Sequence, residues 1–133
     1  GDWNGDGNLD LAVVVAGEES IEVYRGDGLG NFKMLSRHET GVNPHGLTSG
    51  DFNQDGNLDL AVSNRTSGGI TIFLGKGNGN FENTSSIYTG NDGIAIANGD
   101  FDGDGAIDLA MVSASSHSLL FYRGDGKGGF NPW

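Results

Sequence analysis

The sequence predicts an all-β protein built of repeated four-stranded units, and three observations predict it. The first is a period of 49 residues: Asp2-Trp3-Asn4-Gly5-Asp6-Gly7-Asn8-Leu9-Asp10-Leu11 returns at 51–60 and again at 100–109 without a gap. The second is a glycine-rich block locked to the same period, at 26–32, 75–81 and 124–130. The third is that the apolar segments between these blocks are short and bounded by turn residues. No long 3.6-residue period is present, so no helix beyond a turn or two is expected. Glycine supplies 25 of the 133 residues, more than twice its usual share. A disordered chain would not hold two motifs in register over three units, so these glycines mark tight turns.

Each unit divides into strands in the same order. The first strand, at 9–15, 58–62 and 107–112, is a nearly continuous apolar run, as expected of a strand covered on both faces. The second, Ile21-Glu22-Val23-Tyr24, Ile70-Thr71-Ile72-Phe73 and Leu119-Leu120-Phe121-Tyr122, is β-branched and aromatic and ends in the glycine block. A third strand follows that turn, around 32–38 and 81–89. A fourth, of small residues, leads into the next acidic loop: Gly46-Leu47-Thr48-Ser49 and Ile94-Ala95-Ile96-Ala97. Four short antiparallel strands in each unit, repeated, describe the blades of a β-propeller. Residues 1–133 are read as a single β-propeller segment, with repeats 2–50, 51–99 and 100–133, the last incomplete.

Closure follows from the count. Trp133 aligns with Leu35 and Thr84, so counterparts of 36–49 are absent from the last repeat, and no inner strand precedes Gly1. Three blades are too few for a ring, and open blade faces invite association. The expectation is an unstable isolated monomer. The expected partners are the rest of a longer propeller or other copies of the chain, joined head to tail into a ring of six or nine blades or into a filament.

The chemistry lies in the loop Asp-x-(Asn/Asp)-x-Asp-Gly-x-(Leu/Ile)-Asp. Side chains at positions 1, 3 and 5 of a curling loop converge, and glycine at position 6 permits the turn that aims the position 7 carbonyl inward. Such an oxygen set suits a hard cation, and the expectation is Ca2+ at three sites, one per repeat. The ligands would be Asp2, Asn4, Asp6, the Asn8 carbonyl and Asp10 in the first loop, and Asp51, Asn53, Asp55, the Asn57 carbonyl and Asp59 in the second. The third would use Asp100, Asp102, Asp104, the Ala106 carbonyl and Asp108. An EF-hand does not fit, because the closing acid sits at position 9 and leads into a strand. Mg2+ is disfavoured by its strict octahedral geometry and its retained waters. Asp-Gly and Asn-Gly also make plain turns, but plain turns need neither converging acids nor three matching copies.

Charge arithmetic agrees. The chain carries 18 acidic and 7 basic residues for a net charge of −11, and 10 of the acids fall in the three loops, so the remainder nearly balance the bases. Nucleic-acid binding is not expected of such a surface. Cysteine is absent, which removes disulfides and thiolate sites. No apolar run approaches the ~20 residues of a bilayer span, so no membrane insertion is expected, and no charged n-region marks a targeting segment.

Asp-x-Asn-x-Asp-Gly-x-x-Asp-Leu followed by an apolar strand resembles the FG-GAP repeat in its VCBS-type form, the repeat of integrin-α-like calcium-binding propellers and of some propeller lectins. The resemblance covers essentially the whole chain in three in-phase copies. It implies a propeller, usually of seven blades, with Ca2+ in the loop between the first and second strands of each blade. It also implies an extracellular or cell-surface place and a role in adhesion, glycan binding or support of another module. The Gly-Ala-Pro element of that family is replaced by Asn43-Pro44-His45-Gly46 and Asn91-Asp92-Gly93-Ile94.

Other features carry less. Arg25-Gly26-Asp27 and Arg123-Gly124-Asp125 spell an adhesion tripeptide, but the second repeat has Leu74-Gly75-Lys76 there, so the glycine reads as turn chemistry. The three histidines occupy different repeat positions and make no repeated site. Trp3 aligns with Phe52 and Phe101, which makes it a packing residue. Asn64-Arg65-Thr66 and Asn83-Thr84-Ser85 match the glycosylation pattern. The functional expectation is a non-enzymatic, calcium-stabilised module working outside the cell in recognition or scaffolding, with a glycan or protein ligand. A propeller lectin and an accessory domain of a secreted enzyme are the alternatives. The inner strands offer Gly, Ala, Ser, Thr and Leu, without a repeated acid or base for catalysis.

Overall fold

A computed structural model describes residues 1–90 and 92–133, with side chains at all of these except 83 and 84. The elements run β1 (Leu11–Val15), a 3-10 turn (Ala16–Glu18), β2 (Ser20–Gly26), β3 (Phe32–Glu39), β4 (Pro44–Gly50), β5 (Asp59–Asn64), β6 (Gly69–Gly75), β7 (Phe81–Tyr88), β8 (Gly93–Gly99), β9 (Asp108–Ser113), β10 (Ser118–Gly124) and β11 (Phe130–Pro132). They form three antiparallel sheets in the orders β1-β2-β3, β4-β5-β6-β7 and β8-β9-β10-β11. The fold is all-β, of propeller-blade type, and the sheets do not close into a ring. The inner strand β4 lies against β1 on one side and β8 on the other. Among the described residues no helix is long and apolar enough to cross a membrane.

The 49-residue period governs even the irregularities. The register slips between Val23 and Tyr24 in the β2–β3 pair and between Ile72 and Phe73 in the β6–β7 pair, one repeat apart. It slips again between Pro44 and Gly46 and between Gly93 and Ala95, also one repeat apart. A bulge adds local twist and redirects side chains, so a slip copied at the same position is a feature of the blade.

Each first strand begins two residues later than its apolar run, or one later in the second and third copies. Leu9, Leu58 and Ile107 belong to the loop, because the following aspartate ties the chain down there. The expectation of strands covered on both faces holds in full only for the middle blade. Every residue of β5 is buried, whereas in β1 Leu11 is exposed and the other four are half-buried. The difference is one of neighbours, since only the middle blade has a sheet on each side.

Two apolar interfaces join the blades. Trp3, Ile21 and Val23 of the first pack against Leu60, Val62, Phe73 and Phe81 of the second. Phe52, Ile70 and Ile72 of the second pack against Leu109, Met111 and Tyr122 of the third. Trp3 is thus an inter-blade packing residue, as the alignment predicts.

His38 is a misfit in the first interface. Its ring lies 5.5 Å from Phe81 and 6.0 Å from Phe73, and its buried Nε2 has no hydrogen-bond partner among the described residues. Burial pushes its pKa below the ordinary histidine value. The unfolded chain therefore takes up the proton first, so this contribution to stability is complete above about pH 6.5 and is lost as the pH falls from there toward the lower folded pKa. The aligned residue in the second repeat is Ile87, which packs beside the second core. His38→Ile is expected to raise the melting temperature and to flatten its decline between pH 7 and pH 5. Thermal melts in EDTA at both pH values check this, and an unchanged pH dependence would count against the buried imidazole as its source.

Candidate metal centres

Each acidic loop is held by its own backbone. In the first, Asp2 accepts N–H bonds from Gly5 at 2.8 Å and Gly7 at 2.9 Å, Asn4 Oδ1 accepts from Asp6 at 3.1 Å, and Asp6 accepts from Asn8 at 2.9 Å. The second repeats the scheme. Asp51 accepts from Asp55 at 3.1 Å and Gly56 at 2.9 Å, Asn53 Oδ1 from Asp55 at 3.1 Å, and Asp55 from Asn57 at 2.8 Å. In the third, Asp100 accepts from Gly103 at 2.7 Å and Gly105 at 3.1 Å, Asp102 from Asp104 at 3.1 Å, and Asp104 from Ala106 at 2.8 Å. The position 6 glycines adopt the left-handed backbone the sequence requires of them, with φ of 84° at Gly7, 87° at Gly56 and 91° at Gly105. These donors stabilise the charged acids. The Gly7 N–H foremost lowers the pKa of Asp2, and the Asn57 N–H that of Asp55, below the usual carboxylate value.

The aspartate at position 9 has a second task. Asp59 is fully buried; one oxygen accepts the Phe52 N–H at 2.7 Å and the other the Gly75 N–H at 2.8 Å. Asp10 does the same with Trp3 and Gly26, both at 3.0 Å, and Asp108 with Phe101 and Gly124, both at 2.9 Å. The carboxylate clamps the acidic loop to the end of the second strand. Gly26, Gly75 and Gly124 must be glycine, because a Cβ there would run into the backbone carbonyl of Leu9, Leu58 or Ile107. Burial pushes the Asp59 carboxyl up, and its two N–H bonds oppose that. A cation in the loop would pull it back down.

This clamp is not legible in the linear sequence, where Asp10, Asp59 and Asp108 read as metal ligands alone. The available signal was the constant 16-residue interval between each of them and the glycine opening the second block. Each carboxylate oxygen of Asp59 and Asp108 keeps a lone pair after accepting one bond, so clamping and metal ligation are compatible there, whereas in the first loop the Asn4 amide also donates to both Asp10 oxygens.

The loops differ in how far their ligands are gathered. Asp100, Asp102 and Asp108 place one oxygen each within 4.8 Å of one another, the one such carboxylate trio among the described residues. Asn4 reaches Asp10 at 3.0 and 2.9 Å, and Asn53 reaches Asp55 at 3.0 Å. Asp6, Asp55 and Asp104 bond chiefly to their own loops. Arg123 bonds Asp102 at 2.8 Å and offsets part of the third loop's extra charge. At position 4, Gln54 stands where the other loops have glycine, with φ of 60°, and its Nε2 donates to the Gly105 carbonyl at 3.0 Å. The donor set is oxygen throughout, with one neutral amide or one added carboxylate at position 3. Those residues fit a hard divalent cation of irregular coordination.

Other candidates resolve plainly. Asp27 spends its carboxylate on its own turn, accepting from Leu29 at 2.8 Å and from Asn31 at 3.1 and 2.7 Å, so the tripeptide is turn chemistry. Asn64 is buried and donates to Thr71 Oγ1 at 2.9 Å, which removes the first sequon from the surface. The Asn83 and Thr84 side chains of the second lie outside the described ones, as does residue 91 of the second Gly-Ala-Pro replacement. The histidines stay apart: His38 lies in the first interface, and His45 Nδ1 contacts the Ile94 carbonyl at 3.0 Å.

No curated protein and no solved structure matches the chain. The sequence pattern of the FG-GAP-like repeat matches residues 2–62 and again 51–111, each match running from one acidic loop through the next. With that pattern spanning most of the chain and recurring in phase with its three sheets, the protein belongs to the FG-GAP-like repeat family.

Proposed function

We propose that this is a calcium-stabilised, non-enzymatic propeller module that works outside the cell in recognition or scaffolding. The supporting observation is the threefold recurrence of an all-oxygen loop whose closing aspartate also holds the blade together. Millimolar calcium outside cells saturates even weak sites of this kind. The inner strands β4 and β8 carry Gly, Leu, Thr, Ser, Ala, Ile and Asn along most of their length, so the reading assigns them packing and channel lining rather than catalysis.

Occupancy has a simple electrical signature. Three divalent ions would take the formal net charge from −11 to −5. Mobility toward the anode in native electrophoresis is therefore expected to fall when millimolar Ca2+ replaces EDTA, with a smaller change in Mg2+. Equal mobility in all three conditions would contradict the assignment. A glycan array run in Ca2+ then tests the recognition half of the reading.

A further inference from the structure

We propose that protonation of His38 loosens the seam between the first and second blades and so weakens calcium binding in the first acidic loop, while the second loop is unaffected. The inference rests on the calcium reading above and adds a regulator to it. Every group it needs lies inside the seam between two blades of this chain.

The imidazole sits where the fold provides no partner for a charge. Its ring stands edge-on to Phe81 on β7 at 5.5 Å and tilted against Phe73 on β6 at 6.0 Å. Its Nε2 is buried without a hydrogen bond among the described residues, and Ile21 lies directly across from it on β2. None of these neighbours titrates. Arg37 and Glu39, beside it on β3, point to the opposite face, where Arg37 meets Glu18 and Glu22. Burial alone disfavours the charged ring. A protonated Nε2 needs an acceptor, and water supplies one only by parting β3 from Phe73 and Phe81.

The parting reaches the metal loop through one residue. The Gly79 carbonyl accepts the Ser36 hydroxyl from β3 at 2.7 Å, and the Gly79 N–H donates to the Trp3 carbonyl at 2.7 Å. The Leu35 side chain lies over the same glycine. Trp3 stands between Asp2 and Asn4 in the chain, and its own N–H binds Asp10 at 3.0 Å. The peptide groups on the two sides of Trp3 are therefore fixed, one by a predicted calcium ligand and the other by the second blade. Drawing the second blade away releases one of them and lets Asp2 and Asn4 drift apart from Asp10. Calcium favours the closed seam and protons the open one, and such linkage is reciprocal.

The next seam is the internal control. Gly128 donates its N–H to the Phe52 carbonyl at 3.1 Å, and Asp59 takes the Phe52 N–H. At the position of His38 this seam has Ile87, which packs beside its core. It has no imidazole to charge.

Two measurements on the full chain test the proposal. In EDTA, amide hydrogen exchange normalised to unprotected rates should show Gly79 losing protection between pH 7 and pH 5.5 while Gly128 keeps its own. In His38→Ile and His38→Gln both glycines should keep it. Calorimetric titration with Ca2+ at the same two pH values uses Asp55→Ala and Asp104→Ala together, so that only the first loop binds. There the affinity should fall with pH more steeply beside His38 than beside either replacement, by roughly threefold to tenfold. No calcium in the first loop at pH 7 would sink the calcium reading and the coupling with it. Calcium bound with the same pH dependence in all three chains, or Gly79 protection indifferent to pH, would overturn the coupling and leave the calcium reading in place.

Discussion

Removing divalent metal with EDTA is expected to lower the melting temperature by on the order of 20 °C relative to millimolar Ca2+. Binding stabilises by RT ln(1 + [L]/Kd), about 2.7 kcal/mol per site at a hundredfold excess over Kd, and three loops give about 8 kcal/mol if they act independently. That rivals the whole stability of an ordinary domain. Coupling between blades should make the loss cooperative, because the loop backbone at Trp3 and Phe52 also accepts the inter-blade bonds from Gly79 and Gly128. Crowded carboxylates that lose their counterion repel one another and loosen both contacts. Scanning calorimetry in the two conditions reads the shift directly, and coincident transitions would show that the acids serve the turns alone.

The largest single-residue effect is expected at Asp59. Asp59→Ala orphans two buried N–H groups, Phe52 and Gly75, and leaves a void at a fully buried position. Each unsatisfied buried donor costs about 1–3 kcal/mol, so a loss of about 4 kcal/mol is expected even in EDTA. Asp55→Ala is the control. That side chain is exposed and bonds only within its own loop, so its removal should cost under about 1 kcal/mol in EDTA and abolish the extra stability from one calcium site. Urea unfolding of both variants with and without Ca2+ separates the roles. A similar small loss for both in EDTA would contradict the clamp.

The order of the strands, the loops between them and the packing role of Trp3 follow from the repeat, because period and turn chemistry are local properties of the chain. What escapes a linear reading depends on distant contacts. Nothing local distinguishes Asp59 as a clamp from Asp59 as a metal ligand, since the N–H of Gly75 reaches it only after β5 and β6 have paired. Leu9 and Leu58 read alike, yet Leu9 is exposed while Leu58 packs against the first interface, because only the second has a preceding blade beside it. Asn64 reads as a surface acceptor and is buried, since Thr71 on the paired strand takes its amide.

The central claim, one cation in each acidic loop, is tested most directly by counting the metal. Equilibrium dialysis of the chain against calcium, with protein and metal quantified on both sides of the membrane, should give three Ca2+ per chain at saturation and two for Asp55→Ala. No bound calcium at millimolar concentration, or the same number in the variant as in the parent chain, would contradict it.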